Sequence, residues 1–200
     1  GDTHTYRLMK FPLRYLDTDE PFGVGGFATD ITELKRAEEK IRHAAQHDPL
    51  TGLPNRALVY ELGAQMINAS HRHTRMLAVM FFDLDRFKPI NDTYGHRVGD
   101  LMLQEVARRL QKAVRGSDLV GRLGGDEFGA LIRGDDGYVV ALALRATLSY
   151  PFNIESQAFK LDVSIGIALN APGEIASDQL LRRADVAMYE AKREGSGVSL

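Results

Sequence analysis

Two groups of acidic residues, each beside an apolar segment, carry the chemistry that this sequence suggests. Asp83 and Asp85 follow the apolar run from Met76 to Phe82, which is typical of a central strand covered on both faces. Asp126 and Glu127 stand in a second stretch, directly before another apolar run. Charged groups at such positions must be solvated, paired or bound to metal. Both groups are therefore candidates for a metal-dependent site.

The second group sits in a predicted hairpin. Gly124 and Gly125 precede the acids, with apolar runs at Leu119-Val120 and from Phe128 to Ile132 on either side. Glycine reaches the positive φ values that tight hairpin turns require, so two carboxylates are expected at the tip. Taken alone, this stretch is equally well explained by ordinary solvated turn residues, because turns favour Gly and Asp on backbone grounds. The first acidic group, for which a solvated strand exit is the alternative, favours the functional interpretation.

The periodicity predicts a strand, a helix, the hairpin, a helix and a strand, with further helices at both ends. This order is that of an α/β (α+β) fold of the split βαβ, ferredoxin-like type, with a mainly antiparallel sheet backed by helices. The expected segments are helices over about 56–71, 98–114, 138–149 and 177–191, a loop over 89–96, and strands over 76–82, 159–169 and 198–200.

This topology places the first strand beside the hairpin, so Asp83 approaches Asp126 and Glu127. Hard oxygen ligands without neighbouring His or Cys suit Mg²⁺, which keeps waters and substrate phosphates in its shell. Two such ions, roughly 3.5–4 Å apart, serve in-line phosphoryl or nucleotidyl displacement. The residues alone thus predict a metal-dependent enzyme acting on nucleoside triphosphates.

The N-terminal region is predicted to be separate. Extended segments over 5–13 and 22–29, joined by a turn-rich loop over 17–21, are too few to make a core. Asp30 with Glu33 forms a capping-box pattern that begins a helix. Its apolar spacing fits a short coiled coil and an amphipathic linker equally well. We expect domains at 1–30, 31–47 and 48–200.

Composition restricts the class of protein. The chain has 200 residues, 44% of them hydrophobic and 26% charged, as in soluble globular proteins. A net charge of −2 gives no indication of binding to a nucleic acid polymer. The absence of cysteine fits a reducing compartment, and no apolar run approaches the ~20 residues of a membrane span. A cytoplasmic location without a membrane segment in this chain is expected.

Several ordered motifs of the main region resemble those of the diguanylate cyclase (GGDEF) family. The residues over 25–32 also resemble the last strand and exit of a PAS sensor domain. The family-like motifs are Asp48 to Arg56, Asp83 to Lys88, Asn91 to His96, Gly99-Asp100, Arg122 to Phe128, Val163 to Ala168 and Ala184 to Lys192.

The resemblance implies a fold like that of nucleotidyl cyclase catalytic domains and the condensation of two GTP into cyclic di-GMP with release of two pyrophosphates. A homodimer would place two domains face to face, so that each 3′-hydroxyl attacks the other GTP. Two Mg²⁺ ions per active site are implied, with Mn²⁺ as the alternative ion.

The resemblance also implies roles for individual residues. Metal would be held by Asp83, the Leu84 carbonyl, Asp126 and Glu127, and the last two would form the catalytic pair. GTP would be bound by Asn91 and Asp100 at guanine, by nearby His96, and at the phosphates by Phe87, Lys88, Lys192, Gly124 and Gly125.

Arg115 and Asp118 fit the family's RxxD site, where dimeric cyclic di-GMP inhibits the enzyme. A helix-terminal arginine followed by a turn aspartate is the alternative. The sequence departs from the family at Ser196-Gly197, where many members carry Arg-Asn, and this change is expected to weaken triphosphate binding. A catalytically silent GTP or cyclic-di-GMP receptor and a transferase with a linear product are the alternative functions.

Overall fold

The computed structural model describes residues 3–17, 19–73, 76–134, 136–170 and 177–200. Thr18 and Asp135, which the sequence places in turns, lie outside these ranges. The chain divides into two compact units between Ala45 and Gln46. Each unit is described by itself.

The second unit contains the acidic motifs. Its helices are α2 (Arg56–His73), α3 (Phe87–Tyr94), α4 (His96–Ala113), α5 (Gly137–Ser149) and α6 (Ser177–Glu194). Its strands are β3 (Leu77–Asp85), β4 (Leu119–Gly124), β5 (Glu127–Arg133), β6 (Phe152–Ile154), β7 (Gln157–Phe159), β8 (Asp162–Asn170) and β9 (Val198–Ser199).

A five-stranded sheet in the order β4-β5-β3-β8-β9 forms the centre of this unit. The β4/β5, β5/β3 and β3/β8 pairs are antiparallel, and the short β9 runs parallel to β8. Strand β5 thus lies between β3 and β4, which is the split βαβ arrangement. The mainly antiparallel sheet and the predicted fold class are confirmed, and β3 is the central strand because both of its edges are paired.

Alternation along β3 builds one core on each face of the sheet. Ala78, Met80 and Phe82 join the side chains of α4 and α5, whereas Val79 and Phe81 join those of α2 and α6. Both faces are covered, so the strand consists of a continuous apolar run and not of alternating residues.

The segment predicted as a loop after β3 is instead helical. Helix α3 spans Phe87–Tyr94, and Pro89 falls in its first turn. Proline is tolerated there because the first N–H groups of a helix have no intrahelical partner. The loop prediction is wrong because Pro, Asn and Asp, which are typical of turns, are also compatible with a short helix that has proline in its first turn.

Three further boundaries differ from expectation. Strand β3 continues through Asp83 to Asp85, because β8 pairs with it as far as Asp162. The predicted strand over 159–169 is broken at 160–161, and a short β6/β7 hairpin precedes it. That hairpin was missed because its turn residues, Glu155 and Ser156, take positive φ without a glycine or asparagine signal.

The buried face of α2 is also shifted by one residue. The apolar spacing of the sequence predicts Leu58, Leu62 and Met66 as the buried stripe of this helix. In the structure Val59 and Ile67 are fully buried instead, and the three predicted residues are half-buried. Two neighbouring apolar rows exist in this helix, and periodicity alone does not say which of them faces the sheet.

The first unit consists of a hairpin and a helix: β1 (Tyr6–Arg14), β2 (Pro21–Asp30) and α1 (Thr32–Gln46). The Asp30 carboxylate accepts hydrogen bonds from the N–H (2.9 Å) and the hydroxyl of Thr32, so it caps the start of α1. The hairpin residues are largely exposed, including Met9 and Phe11. No helix within the described ranges is long and apolar enough to cross a membrane.

Candidate active site

Strand register brings the two acidic groups together. Asp83 of β3 lies directly opposite Glu127 of β5, and directly opposite residues on antiparallel strands have Cβ atoms roughly 4.5–5.5 Å apart. The backbone N–H of Leu84 donates to the Asp126 carbonyl at 3.3 Å, which fixes the hairpin tip beside the end of β3. The meeting of Asp83, Asp126 and Glu127 predicted from topology is therefore present.

Helix α6 supplies a cation to this acidic end. Lys192 Nζ donates to Asp83 Oδ1 at 2.6 Å, and Asp83 is buried. The hydrogen bond to Asp83 raises the pKa of Lys192, burial acts against this, and the charges of Asp83, Asp126 and Asp85 raise it further. Lys192 is therefore held as an ammonium among three carboxylates. A charge of this kind can neutralise the phosphates of a nucleotide.

Asp85 is tied to the next strand. Its two carboxylate oxygens accept from the hydroxyl of the buried Ser164, at 3.0 and 3.1 Å. Burial raises the pKa of Asp85, the Ser164 hydrogen bond lowers it, and the charges of Asp83 and Asp162 add to the increase. The interaction holds the Asp85 carboxylate against β8, and its charge acts on Lys192.

The hairpin turn is clamped by an arginine. Gly124 and Gly125 have φ values of 148° and 51°, as expected for a turn that only glycine adopts without strain. The Arg122 guanidinium donates to the Gly125 carbonyl through Nε (3.1 Å) and Nη2 (2.8 Å). Its Nη1 contacts both oxygens of Asp48, at 3.0 and 3.2 Å.

The partner carboxylate of this clamp is firmly ionised. Burial acts to raise the pKa of Asp48, but hydrogen bonds from Thr51 and from Arg122 lower it. Both side chains of the Arg122–Asp48 pair are largely buried, so solvent screens their attraction little. The geometry of the turn that carries Asp126 and Glu127 therefore depends on Asp48, which lies before α2 and holds Arg122 in place.

The start of α3 presents backbone donors beside the acidic end. Arg86, the residue before the helix, has φ 59° and ψ 30° and provides no side-chain cap. The first N–H groups of α3, beginning at Phe87, are thus available to an anion, and Lys88 adds a positive charge in the first turn. This loop can hold phosphate in the manner predicted.

A cleft of about 300 Å³ extends from the hairpin tip towards α4. It contains most of the residues predicted to bind nucleotide. Its lining consists of Phe87, Lys88, Asn91, His96, Asp100, Leu103, Arg122, Gly125 and Asp126. Asp126 stands at the hairpin end of the cleft, whereas Asp83, Glu127, Gly124 and Lys192 are not among its lining residues. Glu127 follows Asp126 directly and pairs with Asp83, so the acidic end of the site adjoins the cleft. The other lining residues form the polar end of the site and present amide, imidazole and carboxylate groups suited to the polar edge of a base.

Close packing of α3 against α4 positions Asn91. A Cβ built on Gly99 would overlap the Asn91 amide, whose Oδ1 and Cγ occupy that space. Any side chain at position 99 would thus push Asn91 out of place. Gly99 contributes to the site by leaving room, which explains its place immediately before Asp100.

The donor set fits a divalent ion that arrives with a nucleotide. Asp83, Asp126 and Glu127 offer carboxylates, and Leu84 offers a carbonyl. Within the described ranges, no three His, Cys, Asp or Glu side chains form a group that could hold an ion alone. Mg²⁺ typically takes one or two carboxylates and completes its shell with phosphates and water. The residues present therefore suit Mg²⁺ bound together with a triphosphate.

Arg115 and Asp118 are not among the residues that line this cleft. Arg115 Nη2 contacts Asp136 Oδ2 at 3.2 Å. The Asp118 carboxylate accepts from the backbone N–H groups of Arg115 and Arg133, each at 3.1 Å, and so holds the turn before β4. The exposed Arg115 guanidinium therefore contacts Asp136, while the Asp118 carboxylate accepts hydrogen bonds from backbone N–H groups.

Two residues of the cleft received no role from the sequence. Leu103, in the middle of α4, borders the polar end, and Arg122 holds the turn. Arg122 lies two residues before the glycines, and a charged residue within a predicted strand is a signal that could have indicated its role in the turn. Leu103 could not be distinguished from an ordinary core residue of its helix.

Comparison with known proteins identifies the family. The family model described as diguanylate cyclase, GGDEF domain, matches residues 45–197. MucR of Pseudomonas aeruginosa, a bifunctional diguanylate cyclase/cyclic di-GMP phosphodiesterase, is 43% identical over 167 residues, which are 82% of this chain and 24% of that protein. The diguanylate cyclase TpbB of the same organism is 39% identical over 169 residues, which are 82% of this chain and 39% of that protein. The chain spans well under half of these curated relatives.

Solved structures show the same fold. The GGDEF domain of TpbB superposes with a TM-score of 0.72 at 39% identity, over 76% of this chain and 91% of that one. The coiled coil and GGDEF domain of DgcB from Caulobacter crescentus, in complex with c-di-GMP, superposes with a TM-score of 0.76 at 28% identity, over 84% and 92% of the two chains. The chain belongs to the GGDEF-domain diguanylate cyclase family.

Proposed function

We propose that this protein is an active diguanylate cyclase that condenses two GTP into cyclic di-GMP and two pyrophosphates. The observation that carries the proposal is the strand register that pairs Asp83 with Glu127, beside a cleft lined by Asp126, Asn91 and Asp100. The acidic end of the site suits phosphoryl chemistry, and its polar end suits recognition of a base.

The polar end selects guanine in this proposal. The Asn91 amide and the Asp100 carboxylate hydrogen-bond complementary groups on the base, and His96 borders it. A site of this type rejects adenine because its own polar groups would be left unpaired. Leu103 contributes apolar contact at the same end.

The chain's own residues hold the triphosphate and move the proton. The α3 N–H groups at Phe87, the turn backbone at Gly124 and Gly125, and the cations of Lys88 and Lys192 bind phosphate oxygens. One acid of the Asp126–Glu127 pair assists removal of the 3′-hydroxyl proton. A bound Mg²⁺ pair, or Mn²⁺, held by Asp83, the Leu84 carbonyl, Asp126 and Glu127, would supply charge stabilisation in the displacement.

In this proposal each cleft holds one nucleotide, so the reaction needs two copies of the chain facing each other. Helix α1, which exposes Leu34 and Ile41, is the element that we propose pairs with a second copy. We also propose that the β1/β2 hairpin belongs to a PAS-like sensor domain and that domains change at about residues 30 and 47. The substrate GTP is a cytoplasmic nucleotide, and we propose that location.

The direct test is incubation of the protein with GTP and Mg²⁺, followed by chromatographic identification of the product. We expect cyclic di-GMP with two pyrophosphates per molecule formed. Guanine-nucleotide binding without pyrophosphate release would support a silent receptor domain instead. A linear dinucleotide would indicate a transferase that does not close the ring.

We further propose that Arg115 and Asp118 form a product-binding site. The Arg115 guanidinium is exposed and offers a charged fork to a phosphate. Replacing Arg115 with alanine is expected to raise the inhibition constant for cyclic di-GMP about ten- to hundredfold, the cost of one charged hydrogen-bonding group. Initial rates at increasing product concentration measure this, and an unchanged inhibition curve would remove the assignment.

A further inference from the structure

An arginine from α5 reaches the segment that joins α6 to β9. Arg145 Nη2 contacts Asp162 Oδ2 at 3.2 Å, at the first residue of β8. A Cβ built on Gly197 would overlap the Arg145 guanidinium, with Cζ, Nη2 and Nε as its three nearest atoms. The arginine therefore occupies the space that a side chain at position 197 would fill.

Gly197 directly precedes the edge strand β9, and its neighbour Val198 packs against the same core as α5. Helix α5 contributes to the core shared with α4, whereas α6 contributes to the core on the opposite face. The Arg145 Nε atom is buried and lacks a hydrogen-bond partner in the described part of the chain. Burying a donor of a charged group without a partner is costly, so packing against the peptide of Gly197 must offset it.

Gly197 is linked to the acidic end through the chain, because it follows the last turn of α6, which carries Lys192. Its carbonyl accepts from the Ile165 N–H at 3.0 Å, which ties it to β8. The Ser196 N–H donates to the Ala191 carbonyl at 3.2 Å and closes the last turn of α6. Lys192, the cation on Asp83, stands on that last turn, so the position of its backbone depends on how the following segment is fixed.

We propose that Arg145 is a positioning residue for the triphosphate-binding end of the site. Its guanidinium, seated on Gly197, fixes the segment 195–197 and through it the turn of α6 that carries Lys192. The inference rests on the proposed function, because it assigns the ligand as the phosphates of GTP.

The charge of Arg145 supports the same role. Asp162 is the cross-strand partner of Asp85, and its charge acts on that carboxylate. Arginine stays protonated throughout the working range of pH and so continuously balances Asp162. An α5 side chain thereby offsets one of the carboxylates that surround the phosphate-binding end.

The test compares ligands that differ only in their phosphates. Binding of a non-hydrolysable GTP analogue is measured by calorimetry in the presence of Mg²⁺, and binding of GMP is measured by competition. In the Arg145→Ala variant we expect the GTP analogue to bind about tenfold more weakly, as for residues that support a ligand-binding group, while GMP affinity is unchanged. In turnover, KM for GTP rises while kcat stays near that of the wild type.

The Gly197→Asn variant probes the packing from the other side. Asparagine tolerates the φ of 77° at this position, but its side chain displaces the guanidinium. Alone, the Gly197→Asn variant is expected to bind the GTP analogue more weakly, as Arg145→Ala does. Combined with Arg145→Ala, it fills the vacated space, and the double variant should recover most of the lost affinity. Arg183→Ala, which removes an exposed arginine of α6, is the matched control for loss of charge.

Each outcome decides the matter. Unchanged affinity for the GTP analogue in Arg145→Ala, or an equal loss for GMP, would overturn the inference. A double variant as weak as the sum of the two single ones would also contradict it. Should Arg145→Ala fail to fold, Arg145→Lys, which keeps the charge but not the planar group, carries the same comparison. If the wild type binds neither nucleotide, it is the proposed function that fails.

Discussion

The acidic end and the polar end of the site are built in different ways. At the acidic end, Asp83 is buried, its strand is paired on both edges, and Lys192 is bonded to it. At the polar end, His96 and Asp100 are exposed side chains on α4. The backbone register of a sheet fixes the first end, whereas side chains projecting from helices make the second.

This difference assigns different tasks to the two ends. Charges that must meet at a reacting phosphate gain most from a rigid frame, because a preorganised site does not have to rearrange during the reaction. Groups that recognise a base act through hydrogen bonds made on binding, and they tolerate more exposure before the ligand arrives. Variants of the carboxylates at the acidic end should therefore lower kcat, and variants at the polar end should alter KM and base selectivity.

The largest effect is expected at the hairpin tip. Asp126→Ala should lower kcat by at least about 10²- to 10⁴-fold, the range for loss of a group that acts in proton transfer, and should leave the fold intact because a turn carboxylate packs little. Steady-state rates and a thermal unfolding curve measure the two properties. Asp92→Ala, which removes an exposed acid of α3, is the control. A wild-type rate in Asp126→Ala would contradict the assignment.

A smaller effect is expected for the cation of the acidic end. Lys192→Ala removes a charged hydrogen bond worth about 1.5–3 kcal/mol, so kcat/KM for GTP should fall about ten- to hundredfold. Arg193→Ala is a suitable control, because its exposed side chain contacts Glu194. Equal rates in the two variants would mean that Lys192 merely neutralises Asp83.

At the polar end, base selectivity is the property that should change. Asp100→Ala is expected to raise KM for GTP about tenfold, the cost of about one hydrogen bond, and to narrow the preference for GTP over ATP. The change in kcat should be small. Competition between the two nucleotides measures selectivity, and a loss confined to kcat would place Asp100 with the chemistry and erase the distinction between the ends.

The smallest effect on activity is expected in the framework. Hydrogen bonds from Arg108, against the effect of burial, and then from Arg109 lower the pKa of Glu105 from 4.5 to about 2. A depressed carboxyl pKa stabilises the fold above the unfolded value and loses that contribution as the pH falls from 4.5 through about 2.

Glu105→Gln should therefore lower the free energy of unfolding by about 1 kcal/mol at pH 7, with kcat and KM unchanged. The difference in the free energy of unfolding between the variant and the wild type should shrink as the pH falls below 4.5. Thermal unfolding at several pH values measures it. A gap that stays constant with pH would show that the ion pairs of Glu105 contribute nothing to stability.

The sequence predicted the acidic end better than the polar end. The run before Asp83 and the glycines before Asp126 are local signals with a fixed structural meaning, and the topology rule then places them together. Helix α3 was interpreted as a loop, because Pro89 and its polar neighbours are compatible with both a turn and a first helical turn. Asn91 and His96, to which the family resemblance assigns nucleotide binding, line the cleft, and their role stays a prediction.

Long-range side-chain contacts could not be predicted. The Arg122–Asp48 pair joins residues 74 positions apart, and the Arg145 guanidinium of α5 meets Gly197 in the segment before β9. Neither has a periodic or local signature, because each depends on the packed tertiary structure. The same holds for Lys192 and Asp83, which the resemblance placed in one site without showing that they bond directly.

A crystal structure of the protein with a non-hydrolysable GTP analogue and Mg²⁺ tests the two-ended site most directly. We predict the guanine at Asn91 and Asp100, and the phosphates between Lys192, the start of α3 and the carboxylates of Asp83 and Asp126. A nucleotide bound in the reverse orientation, or in another groove of the domain, would contradict the account.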